Sequence, residues 1–255
     1  MPIPTLAFYF FDPMYFLFVA PALLLGIIAQ IWLKSSFAKY GRIRNLKGVT
    51  GAQAARTILD ENGLGHIAVR ESRGFLSDHY DPRSKTVNLS SDVYHTASIA
   101  AVGIAAHEVG HAIQHASHYV PLVARHAMVP AVRWGGSLFN ILFFVGIALM
   151  FLSRGGSPLG YYVILGAVGL YGLTTLFAFV TLPVEFNASR RAMAAVTNSS
   201  ILLPEEKSGV RSVLSAAALT YVAAAFQSLL TLLYYLYRLG RSEEHTSELQ
   251  SRQVI

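Results

Sequence analysis

The residues best suited to chemistry in this sequence are two histidines that flank a glutamate within five positions, His107-Glu108-Val109-Gly110-His111. On a helix, His107 and His111 project from the same face one turn apart, which allows both imidazoles to reach one zinc ion. Glu108 then lies beside the metal, where it can take a proton from zinc-bound water and pass it to a leaving amine. The spacing therefore predicts a zinc site with two histidine ligands and a glutamate as general base.

The sequence around this motif favours a metal site over an ordinary amphipathic helix. Residues 99–106 are apolar or small, and charge in such a helix is costly without a partner or a metal. Eight of the nine histidines fall between His66 and His126. The chain has no cysteine, which excludes a disulfide framework and a thiolate zinc site. The metal ligands are therefore expected to be nitrogen and oxygen atoms.

The third ligand is not supplied by the motif itself. Metzincins place a histidine where this chain has Ser117 and a glycine where it has Gln114, so that class is excluded. His115 and His118 continue the same helical face and stay open as alternatives. Successive turns of one helix nevertheless diverge from a single metal, which makes these two histidines poor ligands for it.

In the gluzincin arrangement a glutamate from a later helix completes the site. Between the motif and residue 240 the chain offers only Glu185, Glu205 and Glu206. The last two follow a proline, where acidic residues commonly stabilise the start of a helix. We favour Glu185 as the third ligand, and the alternative is an interfacial carboxylate paired with a neighbouring arginine.

The composition indicates the setting of this site. Apolar residues make up 53% of the chain and charged residues 13%, whereas soluble domains contain about 25% charged residues. Four uncharged stretches are long enough to cross a bilayer, at residues 14–33, 134–152, 159–182 and 213–237. We therefore expect an α-helical polytopic membrane protein with about four transmembrane helices and a small α+β, gluzincin-like zinc domain.

The basic residues set the expected topology. The first stretch is preceded by no lysine or arginine and is followed by five cations, Lys34, Lys39, Arg42, Arg44 and Lys47. This pattern is typical of a retained anchor whose C-terminal end lies in the cytoplasm. The turn at 154–158 is then outside the cell. We interpret the net charge of +6 as a determinant of topology and expect no nucleic-acid partner.

The predicted organisation follows from these stretches. It comprises an N-terminal transmembrane anchor (1–33), a cytoplasmic zinc-peptidase domain (34–133), a transmembrane hairpin (134–183), a cytoplasmic helix region with the third ligand (184–212) and a fourth transmembrane helix (213–238). Residues 241–251 resemble a translated sequencing-library adapter, so we expect a non-native tail at 241–255. Within the zinc domain we expect a helix at 51–62 capped by Thr50, strands at 66–70 and 85–89, and a helix from about residue 91 or 96 to 117.

Three separated motifs resemble the bacterial membrane-bound neutral zinc metallopeptidases of the YugP-like group. They are AHEVGHAIQ at 106–114, LSDHYDP at 76–82, and LPVEF at 182–186 continued by ASRRA at 188–192. The resemblance covers the chain to about residue 238. It implies zinc-dependent peptidase activity with Glu185 as third ligand. It also implies a relation to membrane gluzincins, which place two membrane helices between the histidine motif and the ligand glutamate.

Two positions depart from that pattern. Asn187 stands where the family usually has aspartate, and Ser189 stands where the wider gluzincins carry an aspartate that orients the first zinc histidine. Either oxygen can accept a hydrogen bond, but without a charge. The departures favour, as an alternative, a weak or inactive membrane adaptor with a structural zinc site.

The predicted function is that of a zinc metalloendopeptidase of the bacterial inner membrane, with one zinc per chain and its active site in the cytoplasm. Its expected partners are the bilayer and membrane-associated or unfolded protein substrates. The candidates for stabilising the oxyanion are Arg190, His79 and Tyr80. The strand at 85–89 is a candidate for pairing with the backbone of the substrate. A metal transporter is disfavoured, because the four stretches contain no ionisable carboxylate, histidine or cation.

Overall fold

The computed structural model describes residues 12–74, 77–153 and 158–252, with side chains to residue 240. These residues form mostly helices and one small sheet. In chain order the elements are α1 (Pro13–Arg42), α2 (Gly51–Glu61), β1 (Ala68–Ser72), β2 (His79–Asp81), β3 (Thr86–Ser90), α3 (Ser91–Tyr94), α4 (Ile99–Ala116), α5 (Val120–Leu152), α6 (Pro158–Asn198), a 3-10 turn (Pro204–Glu206) and α7 (Lys207–Arg252). The start of the predicted anchor, most of the predicted outer turn and the last three residues of the tail lie outside the described residues.

Four helices are long and apolar enough to cross a membrane: Pro13–Arg42, Val120–Leu152, Pro158–Asn198 and Pro204–Gly240. Each contains one of the four predicted stretches, so the expectation of four candidate spans is confirmed. Their large side chains lie on the surface, and Leu17 for example is 68% exposed. A surface of that kind suits lipid rather than water.

The helices are longer than the predicted spans. Helix α6 continues through Pro183 to Asn198, so the apolar stretch and Glu185 after it belong to one continuous helix. Helix α7 likewise runs on to Arg252, and the predicted tail has helical backbone up to that residue.

The chain divides into two compact units. The described residues within 1–25, 127–179 and 223–255 form a helical unit, and those within 26–126 and 180–222 form a mixed unit. In the helical unit, α5 and α6 approach so closely that a Cβ on Gly146 would lie 2.4 Å from Ile164 Cγ1. Small residues at such crossings are typical of helices packed within a membrane.

The mixed unit contains the sheet and the histidine motif. Its first helix, α2, starts with a capping box in which Thr50 Oγ1 accepts from Gln53 N–H (3.2 Å) and Gln53 Oε1 accepts from Thr50 N–H (2.9 Å). The prediction of this helix is confirmed. The two predicted strands are present as β1 and β3, displaced by one or two residues toward the C-terminus.

The strand order corrects one expectation. The sheet runs β1-β3-β2, with β1 parallel and β2 antiparallel to β3. Because β3 is paired on both sides, the prediction that residues 85–89 offer an edge to substrate is wrong. The strand next to the motif helix is β2, whose three residues are too few to give a sequence signal. The single predicted helix before residue 117 is instead two, α3 and α4, with Ser98 capping the second.

Candidate metal centre

Helix α4 carries the histidine motif and packs tightly against α6. The positions around the motif are small, and a Cβ on Gly110 would lie only 2.5 Å from the carbonyl oxygen of Ala188. Glycine at this position therefore allows the two backbones to touch. The close crossing places Glu185, one turn before Ala188 on α6, against His107 and His111.

The three predicted ligands converge on one point. Glu185 Oε2 lies 3.2 Å from His107 Nε2 and 3.5 Å from His111 Nε2. In a tetrahedral zinc site with bonds of about 2.0–2.1 Å, ligand atoms are separated by about 3.3 Å. The two distances from Glu185 Oε2 therefore fit zinc, and all three donor atoms lie within 4.8 Å of one another. Among the described residues, His107, His111 and Glu185 form the group that could hold a metal ion.

A glutamine determines which nitrogen of His111 is available. The side-chain N–H groups of Gln114 donate to Val184 O (2.7 Å) and to Asn187 Oδ1 (3.0 Å), so its Oε1 is left to accept. That oxygen lies 3.0 Å from His111 Nδ1, which must then carry the proton. The Nε2 lone pair of His111 is directed at Glu185, as a metal ligand requires.

His107 is held in a similar way by a weaker partner. Its Nδ1 lies 3.2 Å from Ser189 Oγ, which can accept a hydrogen bond from Nδ1–H, and in that tautomer Nε2 carries no proton. Asn187 does not take this role, because its Oδ1 accepts from Gln114 and from Arg191 Nε (2.8 Å). Ser189 therefore contacts His107 directly, whereas Asn187 acts on His111 through Gln114.

The second oxygen of Glu185 has a different partner. Arg125, near the start of α5, donates from Nη1 to Glu185 Oε1 at 3.0 Å. The carboxylate is only 3% exposed, so this ion pair compensates much of the cost of burying it. Tyr221 on α7 also lies close enough to interact with Glu185 and Glu108.

The predicted general base is also held in place. Glu108 is 9% exposed, and its Oε2 accepts a hydrogen bond from the backbone N–H of Tyr80 at 3.0 Å. Burial alone lowers the pKa of His111, but its hydrogen bond to Glu185 and the charge of Glu108 raise that pKa above its ordinary value. Two carboxylates therefore make the centre strongly attractive to a cation, whether proton or metal.

Comparisons with known proteins identify the family of the chain. A family model described as "Putative neutral zinc metallopeptidase" matches residues 15–240. The chain belongs to this family. It is also 44% identical over 233 residues to "Putative membrane protease YugP" of Bacillus subtilis (strain 168), an alignment that covers 90% of this chain and 100% of the relative. No solved structure matches the chain. The resemblance noted in the motifs is thereby confirmed.

The remaining predicted site residues are distributed unevenly. His79 is exposed and contacts Ser77 O and Asn88 rather than Glu108, and Arg190 is exposed on α6. Tyr80 does reach the centre through its backbone, while its hydroxyl lies 2.9 Å from His115 Nδ1. Burial raises the pKa of Tyr80, which keeps the phenol neutral. His115 is therefore engaged away from the ligand group.

Three residues of the centre were missed in the sequence: Gln114, Arg125 and Tyr221. The metzincin spacing and the motif at 106–114 assign no contact to Gln114, although a fully buried glutamine must find partners for its amide. Tyr221 is a hydroxyl inside an apolar span, a signal that could have identified it. Nothing in the local sequence distinguishes Arg125 from other arginines of the predicted cytoplasmic region.

Proposed function

We propose that this protein is a membrane-embedded zinc endopeptidase that hydrolyses peptide bonds of membrane-associated or unfolded proteins. The observation that carries the proposal is the convergence of His107 Nε2, His111 Nε2 and Glu185 Oε2 beside the buried carboxylate of Glu108. Three protein ligands leave one position of a tetrahedral zinc open, as in catalytic sites, whereas structural sites have four. The name of the Bacillus subtilis relative, "Putative membrane protease YugP", supports the same function.

The residues have separate roles in this proposal. His107, His111 and Glu185 hold one zinc ion, which when bound polarises the scissile carbonyl and lowers the pKa of water. Glu108 takes the proton of the attacking water and delivers it to the leaving amine. The Tyr80 N–H holds one carboxylate oxygen of Glu108 so that the other is oriented toward its substrate.

We propose Tyr221 as the donor that stabilises the developing oxyanion. Its position close to both Glu185 and Glu108 supports this role. A neutral phenol can donate a hydrogen bond to negative charge that appears only in the transition state. Tyr221 thus replaces Arg190 and His79, whose exposed positions argue against the role predicted for them.

We further propose that the catalytic centre lies on the cytoplasmic side of the bacterial inner membrane. The cations that follow the apolar part of α1 support this orientation. Because the chain lacks cysteine, single cysteines can be introduced for labelling in intact cells. A membrane-impermeant maleimide is expected to label Ser157→Cys and to leave Ser84→Cys unlabelled, and the reverse pattern would contradict the orientation.

The central experiment measures zinc content and casein cleavage for the full chain purified in detergent. We expect about one zinc per wild-type chain, retention of zinc with a 10²–10⁴-fold loss of cleavage in Glu108→Gln, and loss of both in Glu185→Ala. Glu61→Gln, an exposed glutamate of α2, is the matched control and should change neither. A wild-type chain that keeps zinc but cleaves nothing would instead favour the adaptor with a structural zinc site.

A further inference from the structure

The segment that follows the apolar part of α1 has an unusual charge pattern. Residues 13–59 contain no aspartate or glutamate but six basic residues: Lys34, Lys39, Arg42, Arg44, Lys47 and Arg56. Arg56 pairs with Asp60 at 2.8 Å, and Lys47 donates to the carbonyl of Ser200. Within the part of the chain that the structure describes, the guanidinium groups of Arg42 and Arg44 have neither an ion pair nor a hydrogen bond.

These two arginines line an open cavity of about 410 Å³ in the mixed unit. The other lining residues are small or carry neutral polar groups, except for a histidine: Gly41, Gly48, Thr50, His95, Thr96, Ala97 and Ser98. Gly48 has a φ of +65°, and a Cβ at this glycine would lie 3.7 Å from Arg44 Nη2. No carboxylate lines the cavity, so its charge is suited to an anion.

The backbone that carries the two arginines is fixed. Arg44 forms an isolated bridge with Ser98, and the backbone N–H of Asn45 donates to Ala97 O at 2.9 Å. The Asn45 side chain closes the following turn through two hydrogen bonds to the backbone of Val49, at 2.7 and 2.8 Å. The backbone of both arginines is therefore already held in place, so the binding of an anion has to order only their side chains.

Apolar side chains alternate with these cations. Ile43 is 40% exposed and Leu46 is 77% exposed, and the backbone N–H of Leu46 is held at 2.8 Å by Glu206 Oε1. Exposed apolar groups interspersed with cations next to a membrane-spanning helix are typical of a segment that contacts the lipid headgroup region. A soluble phosphate compound would make no use of Ile43 and Leu46.

We propose that Arg42 and Arg44 bind the phosphate of an anionic phospholipid, while Ile43 and Leu46 contact the apolar part of the same membrane surface. Guanidinium groups match the oxygens of a phosphodiester and form charge-assisted hydrogen bonds with them. The inference rests on the proposed orientation, because the cytoplasmic leaflet is the one that this segment would meet. It does not depend on zinc or on proteolysis.

The test is a titration of the full chain in detergent with phosphatidylglycerol, phosphatidylcholine or inorganic phosphate, followed by native mass spectrometry. A cation close to an anionic membrane contributes about fivefold in affinity, so Arg42→Gln combined with Arg44→Gln should weaken phosphatidylglycerol binding about 30-fold. Arg73→Gln combined with Arg83→Gln removes the same charge from exposed positions and should leave binding unchanged. Leu46→Ser should weaken binding of phosphatidylglycerol but not of inorganic phosphate.

Three results would overturn the proposal. They are equal binding of phosphatidylcholine and phosphatidylglycerol, an equal loss in the Arg73 and Arg83 control, and full competition by inorganic phosphate with no effect of Leu46→Ser. The last result would indicate a site for free phosphate. Zinc content measured on the same samples separates this test from that of the proposed function, because the arginine variants should keep about one zinc per chain.

Discussion

The two units each bury a carboxylate that is joined by a tyrosine and an arginine, yet among the described residues only one of these clusters has a set of possible metal ligands. In the helical unit, Asp12 Oδ1 accepts from the backbone N–H of Met14 at 2.9 Å, and its Oδ2 lies 3.0 Å from Tyr234 Oη and 3.2 Å from Arg238 Nη1. All three partners are donors. The carboxylate is therefore satisfied as it stands, and the cluster also explains how a basic residue near the end of the fourth span is tolerated.

In the mixed unit, Glu185 has an arginine on one oxygen and two histidine nitrogens on the other. Gln114 Oε1 and Ser189 Oγ can each accept a hydrogen bond from an Nδ1–H group, and in that tautomer both Nε2 atoms present lone pairs to Glu185 Oε2. Three acceptors then face one another, which is favourable only when a cation lies between them. The partners of a buried carboxylate, and not its burial, therefore distinguish a structural cluster from a candidate metal centre.

The largest difference between the two clusters is expected when each carboxylate is neutralised. Glu185→Gln should weaken zinc binding by more than about 100-fold, since removal of a ligand costs more than removal of an outer partner. Asp12→Asn should leave zinc content unchanged and lower the free energy of unfolding by about 2 kcal/mol, because it weakens a buried, charge-assisted set of hydrogen bonds. Zinc titration and thermal unfolding followed by circular dichroism measure the two effects. Equal loss of zinc in both variants would contradict the distinction.

The tyrosines provide the next comparison. Tyr221→Phe should lower kcat about 10²–10³-fold with zinc content unchanged, because it removes a donor to the oxyanion. Tyr234→Phe removes the corresponding hydroxyl from the Asp12 cluster and should leave kcat near the wild-type value. Peptide cleavage at saturating substrate measures both, and a Tyr221→Phe enzyme with wild-type kcat would exclude the proposed oxyanion role.

The arginines should differ by a smaller factor. Arg125→Gln should weaken zinc binding about 10–100-fold, because Glu185 loses the partner that fixes its second oxygen. Arg125→Lys retains the charge and should recover part of that affinity. Arg238→Gln is the matched variant in the helical unit, and it should have no effect on the zinc dissociation constant. Competition with a chromogenic chelator gives these constants, and an unchanged value for Arg125→Gln would show that the ion pair does not position the ligand.

The smallest effect is expected at Ser189, the neutral partner of His107. Ser189→Ala should weaken zinc binding about tenfold, the lower end of the range for outer partners. Ser189→Asp restores the charged acceptor implied by the wider gluzincins and should tighten zinc binding relative to the wild type. The same chelator competition applies, with Thr197→Ala, an exposed hydroxyl on α6, as control. Weaker binding in Ser189→Asp than in Ser189→Ala would contradict the assigned contact.

Much of the fold could be predicted because it depends on local patterns. Four apolar stretches gave the four candidate spans, and the capping box at Thr50 and Gln53 gave the start of α2. The predicted ends of the spans differ from the helix ends where a helix continues past its apolar part, as α6 does through Pro183. Strand β2 was missed because three residues form a strand only through pairing with a distant partner.

The relative position of the two histidines can be predicted from the sequence, because it depends only on the period of one helix. The separation of His107 and His111 by four residues places both on one face, whatever surrounds them. The groups that contact this face of the helix depend on the tertiary structure. The contact between Gly110 and Ala188 sets the distance of Glu185, and Arg125, Gln114 and Tyr221 join through packing between helices that are remote in sequence. Hydrogen-bond direction, and with it the two lone pairs offered to a metal, is a property of that assembled network and of no single segment.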